Sequence, residues 1–261
     1  MIASRRLGRL HRPGVSLLSL LRLVGVLLVL LGCSGEGNEA PPAPQSTAPN
    51  APTLDTRVFP AAALPFGQGY AAWSAEWWQW AVSLPVPENP IFDETGQKCA
   101  IAQRGAVWFL AGVLSQSGMA LRRCASMPAD TALFFPLVVE WDHVQIAPPL
   151  TVEALRHLTS SLIGGIAELA VELDGVPLQN VQLLRFTSPA FTITLPQNNL
   201  FQALGNPAGA PGIYFPTVVE GVYVMLKPLA VGEHTLRLRG QGRSSALDIT
   251  YQLTVVPLIL P

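Results

Sequence analysis

Side chains capable of chemistry gather in four places along the chain. Glu76 lies inside Trp73-Ser74-Ala75-Glu76-Trp77-Trp78-Gln79-Trp80. A carboxyl surrounded by indoles is disfavoured as the anion and suits a general acid, with Asp93 or Asp142 as the second carboxylate of a hydrolase of extracellular polymers. The opposing reading places Glu76 on a narrow polar stripe facing water, at no defined distance from either partner. Trp73, Trp77 and Trp80 carry broad apolar faces with one donor each, on which sugar rings stack when the faces are exposed. The same side chains cover both apolar rows of a helix, which favours core packing. Glu140, Asp142 and His143 cluster where a strand ends; with His157 or His234 they could offer a metal oxygen and nitrogen ligands. No His-x-His or His-Glu-x-x-His spacing supports that site, so neither a metal nor a cofactor is expected. Asn198, Asn199 and Phe201 belong to a Gly- and Pro-rich loop, residues 196–212, that suits a polar polymer if Phe201 is exposed. No Gly-x-Ser-x-Gly and no phosphate-cradling glycine loop is present, which leaves a non-catalytic binding or structural role as the preferred reading.

The elements that must position these groups are mostly strands. Tyr70, Trp73, Trp77, Trp80 and Leu84 recur at helical spacing, while Glu76, Gln79 and Ser83 form the polar stripe, so residues 70–83 read as a helix buried on most of its circumference. Leu84-Pro85-Val86-Pro87 stops it. A second helix is expected over residues 151–163, capped by Thr151 and ended by Gly164. Strands are expected over residues 106–113, 120–126, 131–140, 181–186, 191–195, 218–226, 234–239 and 247–256, with Asp174-Gly175 as a hairpin turn within 169–178. Leu236 and Leu238 alternate with Arg237 and Arg239, and Ile249, Tyr251, Leu253 and Val255 with Thr250, Gln252 and Thr254. Such alternation leaves one face buried and one wet, and predicts an antiparallel β-sandwich, Ig-like or jelly-roll, with two helical insertions.

Ahead of this domain stands a leader. Arg5, Arg6, Arg9, Arg12 and Arg22 occur without an acidic residue, and an apolar run over residues 23–31 follows. Nine residues at ~1.5 Å each reach about 14 Å, well short of the ~30 Å hydrocarbon core, so residues 1–32 read as a signal peptide rather than a span. Leu30-Leu31-Gly32-Cys33 resembles the lipobox of bacterial lipoproteins. The resemblance implies lipid attachment to the Cys33 thiol, cleavage ahead of it and fatty acylation (palmitate among the acids) of the new N-terminus. Ser34 in place of Asp favours the outer membrane in a host with two. Residues 33–56, rich in Pro and Ala, read as a disordered tether, and residues 57–261 as a single β-rich domain.

Loss of five arginines from 16 basic residues, against 17 acidic ones, leaves the mature chain near −6. Nucleic acid is therefore not an expected partner. The membrane, through the lipid, is one, and an envelope glycan or protein a possible other. Cys99 and Cys124 remain, and in an oxidising compartment they are expected to pair, closing a loop of about 25 residues worth roughly 3 kcal/mol.

The tryptophan run, then Asn89-Pro90, Asp93-x-Thr95-Gly96 and Val107-Trp108-Phe109-Leu110-Ala111-Gly112, resembles a family of uncharacterised bacterial exported proteins. Phe134-Phe135-Pro136-Leu137, Leu195-Pro196-Gln197-Asn198-Asn199 and Gly232-Glu233-His234-Thr235 extend the likeness over about residues 65–256. It implies export and one domain, and it carries no activity.

Overall fold

Runs of alternating burial dictate strands through most of the chain, and a computed structural model places them in two sheets. It describes residues 52–113, 119–143, 150–206, 209–242 and 246–258, with the backbone alone at 141–143. The leader, Cys33 and the tether up to residue 51 lie outside the described residues. In chain order the elements begin with α1 (Tyr70–Ser83), β1 (Val107–Phe109), β2 (Met119–Pro128), β3 (Ala132–His143) and α2 (Val152–Leu162). They continue with β4 (Glu168–Leu173), β5 (Val176–Pro177), β6 (Arg185–Thr187), β7 (Phe191–Leu195) and α3 (Leu200–Ala203). Three long strands close the list: β8 (Gly212–Leu226), β9 (Gly232–Gln241) and β10 (Ala246–Val256).

The fold is mainly β. One sheet runs β1-β3-β8-β6, with β7 also on β8, and the other runs β2-β10-β9-β4-β5. The expectation of purely antiparallel sheets is corrected, because β1 pairs with β3 and β2 with β10 in parallel. Parallel partners cannot be joined by a tight hairpin. Accordingly β2 intervenes between β1 and β3, and most of the domain between β2 and β10. Two further expectations shift. The run at 181–186 opens as a 3-10 turn, Val181–Leu183, behind a left-handed Asn180, and pairing starts only at Arg185. The loop at 196–212 holds α3, a third helix.

Burial follows side-chain periodicity. On β9 and β10, Leu236, Leu238, Ile249, Tyr251, Leu253 and Val255 face inward and join one core with Phe134, Val222, Tyr223 and Val224 of the other sheet. On the outward face of the same strands, Arg237 pairs with Asp248, and Arg239 with Glu168 and Glu172. β9 approaches β3 so closely at Gly240 that a Cβ there would fall on the Leu137 carbonyl. Asp174 and Gly175, both at positive φ, make the turn between β4 and β5.

Three covalent or polar ties hold the long loops. Cys99 and Cys124 form the disulfide, with Cα atoms 5.6 Å apart. Buried Asn89 donates to the carbonyls of Ala81 and Leu84 and accepts from the Ile91 amide, closing the end of α1. At the domain's entry, Asn180 donates to the Thr53 carbonyl and Asp55 pairs with Arg57, which donates to the Pro177 carbonyl. Contacts with the β4–β5 hairpin region thus begin at Thr53, four residues before the boundary expected at Arg57. Among the described residues no helix is long and apolar enough to cross a membrane.

Candidate functional site

A groove of about 670 Å³ runs along the outward stripe of α1. Trp73, Glu76, Trp80 and Ser83 form its floor, since positions at i, i+3, i+7 and i+10 share one helix face. The loop carrying Arg104, with Phe109 of β1, lines it too, as do Thr192 and Thr194 of β7. Gln79 donates to the Thr192 carbonyl at 2.9 Å and ties the helix to that strand. At the far end Gln68 donates to Glu76 Oε1 at 2.6 Å. The groove therefore offers amides, hydroxyls, one carboxylate and one guanidinium above a largely buried aromatic floor.

The tryptophans are core residues first. Trp73, Trp77 and Trp80 are 9%, 2% and 6% exposed. Each indole N–H donates to a loop carbonyl: Trp73 to Pro65, Trp77 to Leu110 and Trp80 to Ile101, at 3.0–3.1 Å. Trp77 meets Trp78 and Trp80 edge-on at 5.4 and 6.0 Å between centroids. An open platform made of these three rings is overturned, because the faces that would stack on a sugar are packed on protein. Phe201 corrects the second binding expectation: it is 0% exposed. Asn199 is equally buried and caps α3, accepting from the amides of Phe201 and Gln202 and donating to the Gly209 carbonyl. Only Asn198 of that trio is exposed, and it sits at positive φ in the turn before the cap.

Of the two pairings predicted for Glu76, the one with Asp93 is not brought together. Glu76 is exposed and lines the α1 groove, whereas Asp93 lines a small cavity with Cys99, Arg122 and Tyr251. Both Asp93 oxygens are taken by its own loop: Oδ1 by the Thr95 amide and hydroxyl, Oδ2 by the Lys98 amide at 2.7 Å. Burial pushes the Asp93 carboxyl up, but the Thr95 hydroxyl and the Lys98, Thr95 and Gly96 amides outweigh it and hold it below the ordinary value. This suits a structural anion, not an acid. Asp142 and His143 end β3, and their side chains lie outside the described residues.

Two groups went unseen in the sequence. Glu220 opposes Glu140 directly across β8 and β3, and the repulsion is relieved by Arg185, which pairs with buried Glu220. A charge in the middle of the apolar run Val218–Leu226 was the available signal. Arg122 is buried, donating to the Ala111 and Gly112 carbonyls and to the Tyr251 hydroxyl, with its guanidinium over the Tyr251 ring. Cys124 faces inward, so Arg122, two residues earlier on β2, shares its face.

His157 is exposed on α2 and His234 is engaged elsewhere, so neither completes a site with Glu140. Among the described residues, His, Cys, Asp and Glu nowhere gather in threes fit for a metal ion. The ring nitrogens of His234 lie 2.8 Å from Asp174 Oδ2 and 2.9 Å from the Ala230 carbonyl, and the Thr235 amide donates to Asp174 Oδ1. Two acceptors facing one ring favour the imidazolium. Burial pushes the His234 ring down, but Asp174 and the Ala230 carbonyl outweigh it and raise it above the usual 6.5. Asp174 is raised by burial and lowered more by His234, the Thr235 amide and Arg57, ending below 3.8. The pair's stabilisation is therefore present between those ordinary values. It fades as pH rises through the histidine's folded value or falls through the aspartate's. His234→Ala is expected to cost about 1 kcal/mol or less at pH 6 and to flatten the decline in melting temperature between about pH 6 and 9. Parallel declines in both proteins would show that the pair contributes nothing.

Compared with known protein families, curated proteins and solved structures, the chain has no match.

Proposed function

We propose that the chain is an exported lipoprotein of the family its motifs resemble, cut ahead of Cys33 and acylated there. Its β domain is a non-catalytic binding or structural module of the cell envelope. In this reading the two sheets stack as a β-sandwich with α1 and α2 as insertions. Residues 33–52 form the tether, whose twenty residues reach about 60 Å when extended at ~3.1 Å each. The protein sits on the outer membrane where the host has one, and its partners are the bilayer, through the lipid, and an envelope glycan or protein. A charge near −6 speaks against nucleic acid. The Cys99–Cys124 disulfide supports an oxidising compartment.

The observation that carries the binding role is the α1 groove: open, with polar side chains over an aromatic floor, and holding a single carboxylate among the described residues. Acid–base hydrolysis needs two titratable groups on one reacting bond. Among the described residues Glu76 has no second carboxylate in the groove lining, and Asp93 lines a different cavity.

Full-length protein in detergent, mixed with washed envelope fragments, is expected to sediment with them saturably and leave them intact. Soluble fragments released by the native protein but not by Glu76→Gln would replace this reading with the hydrolase. Absence of co-sedimentation would remove the binding role.

A further inference from the structure

We infer that the α1 groove binds an uncharged saccharide, with one sugar ring stacked on Phe66 at the groove's end; this rests on the groove being the binding site. Phe66 is the only bulky aromatic side chain at positive φ among the described residues (φ 56°, ψ 30°), and the residue is 48% exposed. A large residue in the left-handed region is strained, and only half of this one is buried in return. The ring is nevertheless fixed. It meets Phe59 edge-on at 6.0 Å and Trp73 edge-on at 6.4 Å, and Trp73 leads directly into the groove floor. Both contacts are T-shaped, and about half of the residue remains open to solvent. A strained, immobilised, half-exposed aromatic beside a polar groove is a stacking surface in search of a ring with its own apolar face.

The groove's polar groups narrow the chemistry of that ring. Gln79, Ser83, Thr192 and Thr194 are neutral donors and acceptors, and the lining carries one negative group, Glu76, and one positive group, Arg104. No net charge is presented, so neither a polyanion nor a polycation is selected. The Gln79 amide and the Ser83 hydroxyl already donate to the Thr192 and Trp80 carbonyls, and a flat lipid surface would offer nothing to the Thr192 and Thr194 hydroxyls. A sugar's hydroxyls satisfy them while its C–H face covers Phe66 and half-buried Phe109. The volume of about 670 Å³ lies within the ~300–1,000 Å³ of small-ligand sites.

The test titrates full-length protein in detergent with hexamers of glucose and of N-acetylglucosamine, followed by total tryptophan emission and by calorimetry. At least one series is expected to bind, with affinity unchanged as salt rises. Phe66→Ala should weaken it about tenfold, without lowering the melting temperature. Thr194→Val, which removes a hydroxyl and keeps the shape, should weaken it about threefold. Binding that falls steeply with salt or is untouched by Phe66→Ala would overturn the inference. So would retention on envelope fragments that is lost once their protein is digested, with no response to either hexamer. That last result would identify a peptide partner and leave the binding role standing, whereas loss of all retention would remove both.

Discussion

Cys33→Ser is expected to reduce incorporation of labelled fatty acid into the protein to background, and to deplete the lipid-anchored form from the membrane fraction. The chain has three cysteines, and two of them are bonded to each other inside the domain. Cys33 is thus the one thiol left for lipid transfer. A serine hydroxyl does not replace it, because the attacking species is a thiolate, within reach of neutral pH, while an alkoxide is not. Two or three acyl chains bury enough methylene groups, at ~0.8 kcal/mol each, to make anchoring durable, so their loss changes partition by orders of magnitude. Label persisting in Cys33→Ser would show that acylation lies elsewhere and that the lipobox resemblance misleads.

Trp77→Ala is expected to destabilise the domain by about 3–5 kcal/mol, a drop in melting temperature on the order of 10 °C. The indole is 2% exposed and contacts Trp78 and Trp80. Its removal opens a cavity bounded by α1 and leaves the Leu110 carbonyl without the donor 3.0 Å away. The same substitution distinguishes the core from a platform. A ligand-stacking tryptophan would show little change in melting and a large loss of retention on envelope material. Preserved melting would therefore contradict the packing described for α1.

α1 and α2 were legible because spacing alone specifies them, whereas four-residue α3 is too short to show a period. Tyr70, Trp73, Trp77 and Trp80 recur at a helical period, and α1 spans Tyr70–Ser83 as that period predicts; Thr151 caps α2 through its hydroxyl on the Ala154 amide. Alternation in β9 and β10 likewise marked which faces are buried. Sheet order was not legible, since a strand's side-chain period is the same whether its partner runs parallel or antiparallel. Register and pairing of β1 with β3 and β2 with β10 depend on contacts far apart in the chain.

The candidate site was legible in composition and not in accessibility. Glu76, Trp73 and Trp80 do line a groove, but which part of each indole meets water depends on the loops at Pro65, Leu110 and Ile101 that cover them. Phe66 carried no periodic signal: it lies in a three-residue turn, and only its backbone angles mark it. Several of the motif residues that gave the chain its family likeness hold structure. Asn89 closes α1, Asp93 gathers its loop, Asn199 caps α3, and His234 clamps the Asp174 turn. Their side chains are taken up by neighbouring protein groups, and each holds a turn, a loop or a helix end in place.

The covalent state of Cys33 decides between an anchored and a free protein. Protein isolated from membranes, digested and weighed, is predicted to yield a first peptide that begins at Cys33 and bears a diacylglyceryl thioether and a fatty amide. A first peptide that starts at any other residue, or a Cys33 of unmodified mass, would contradict the anchor.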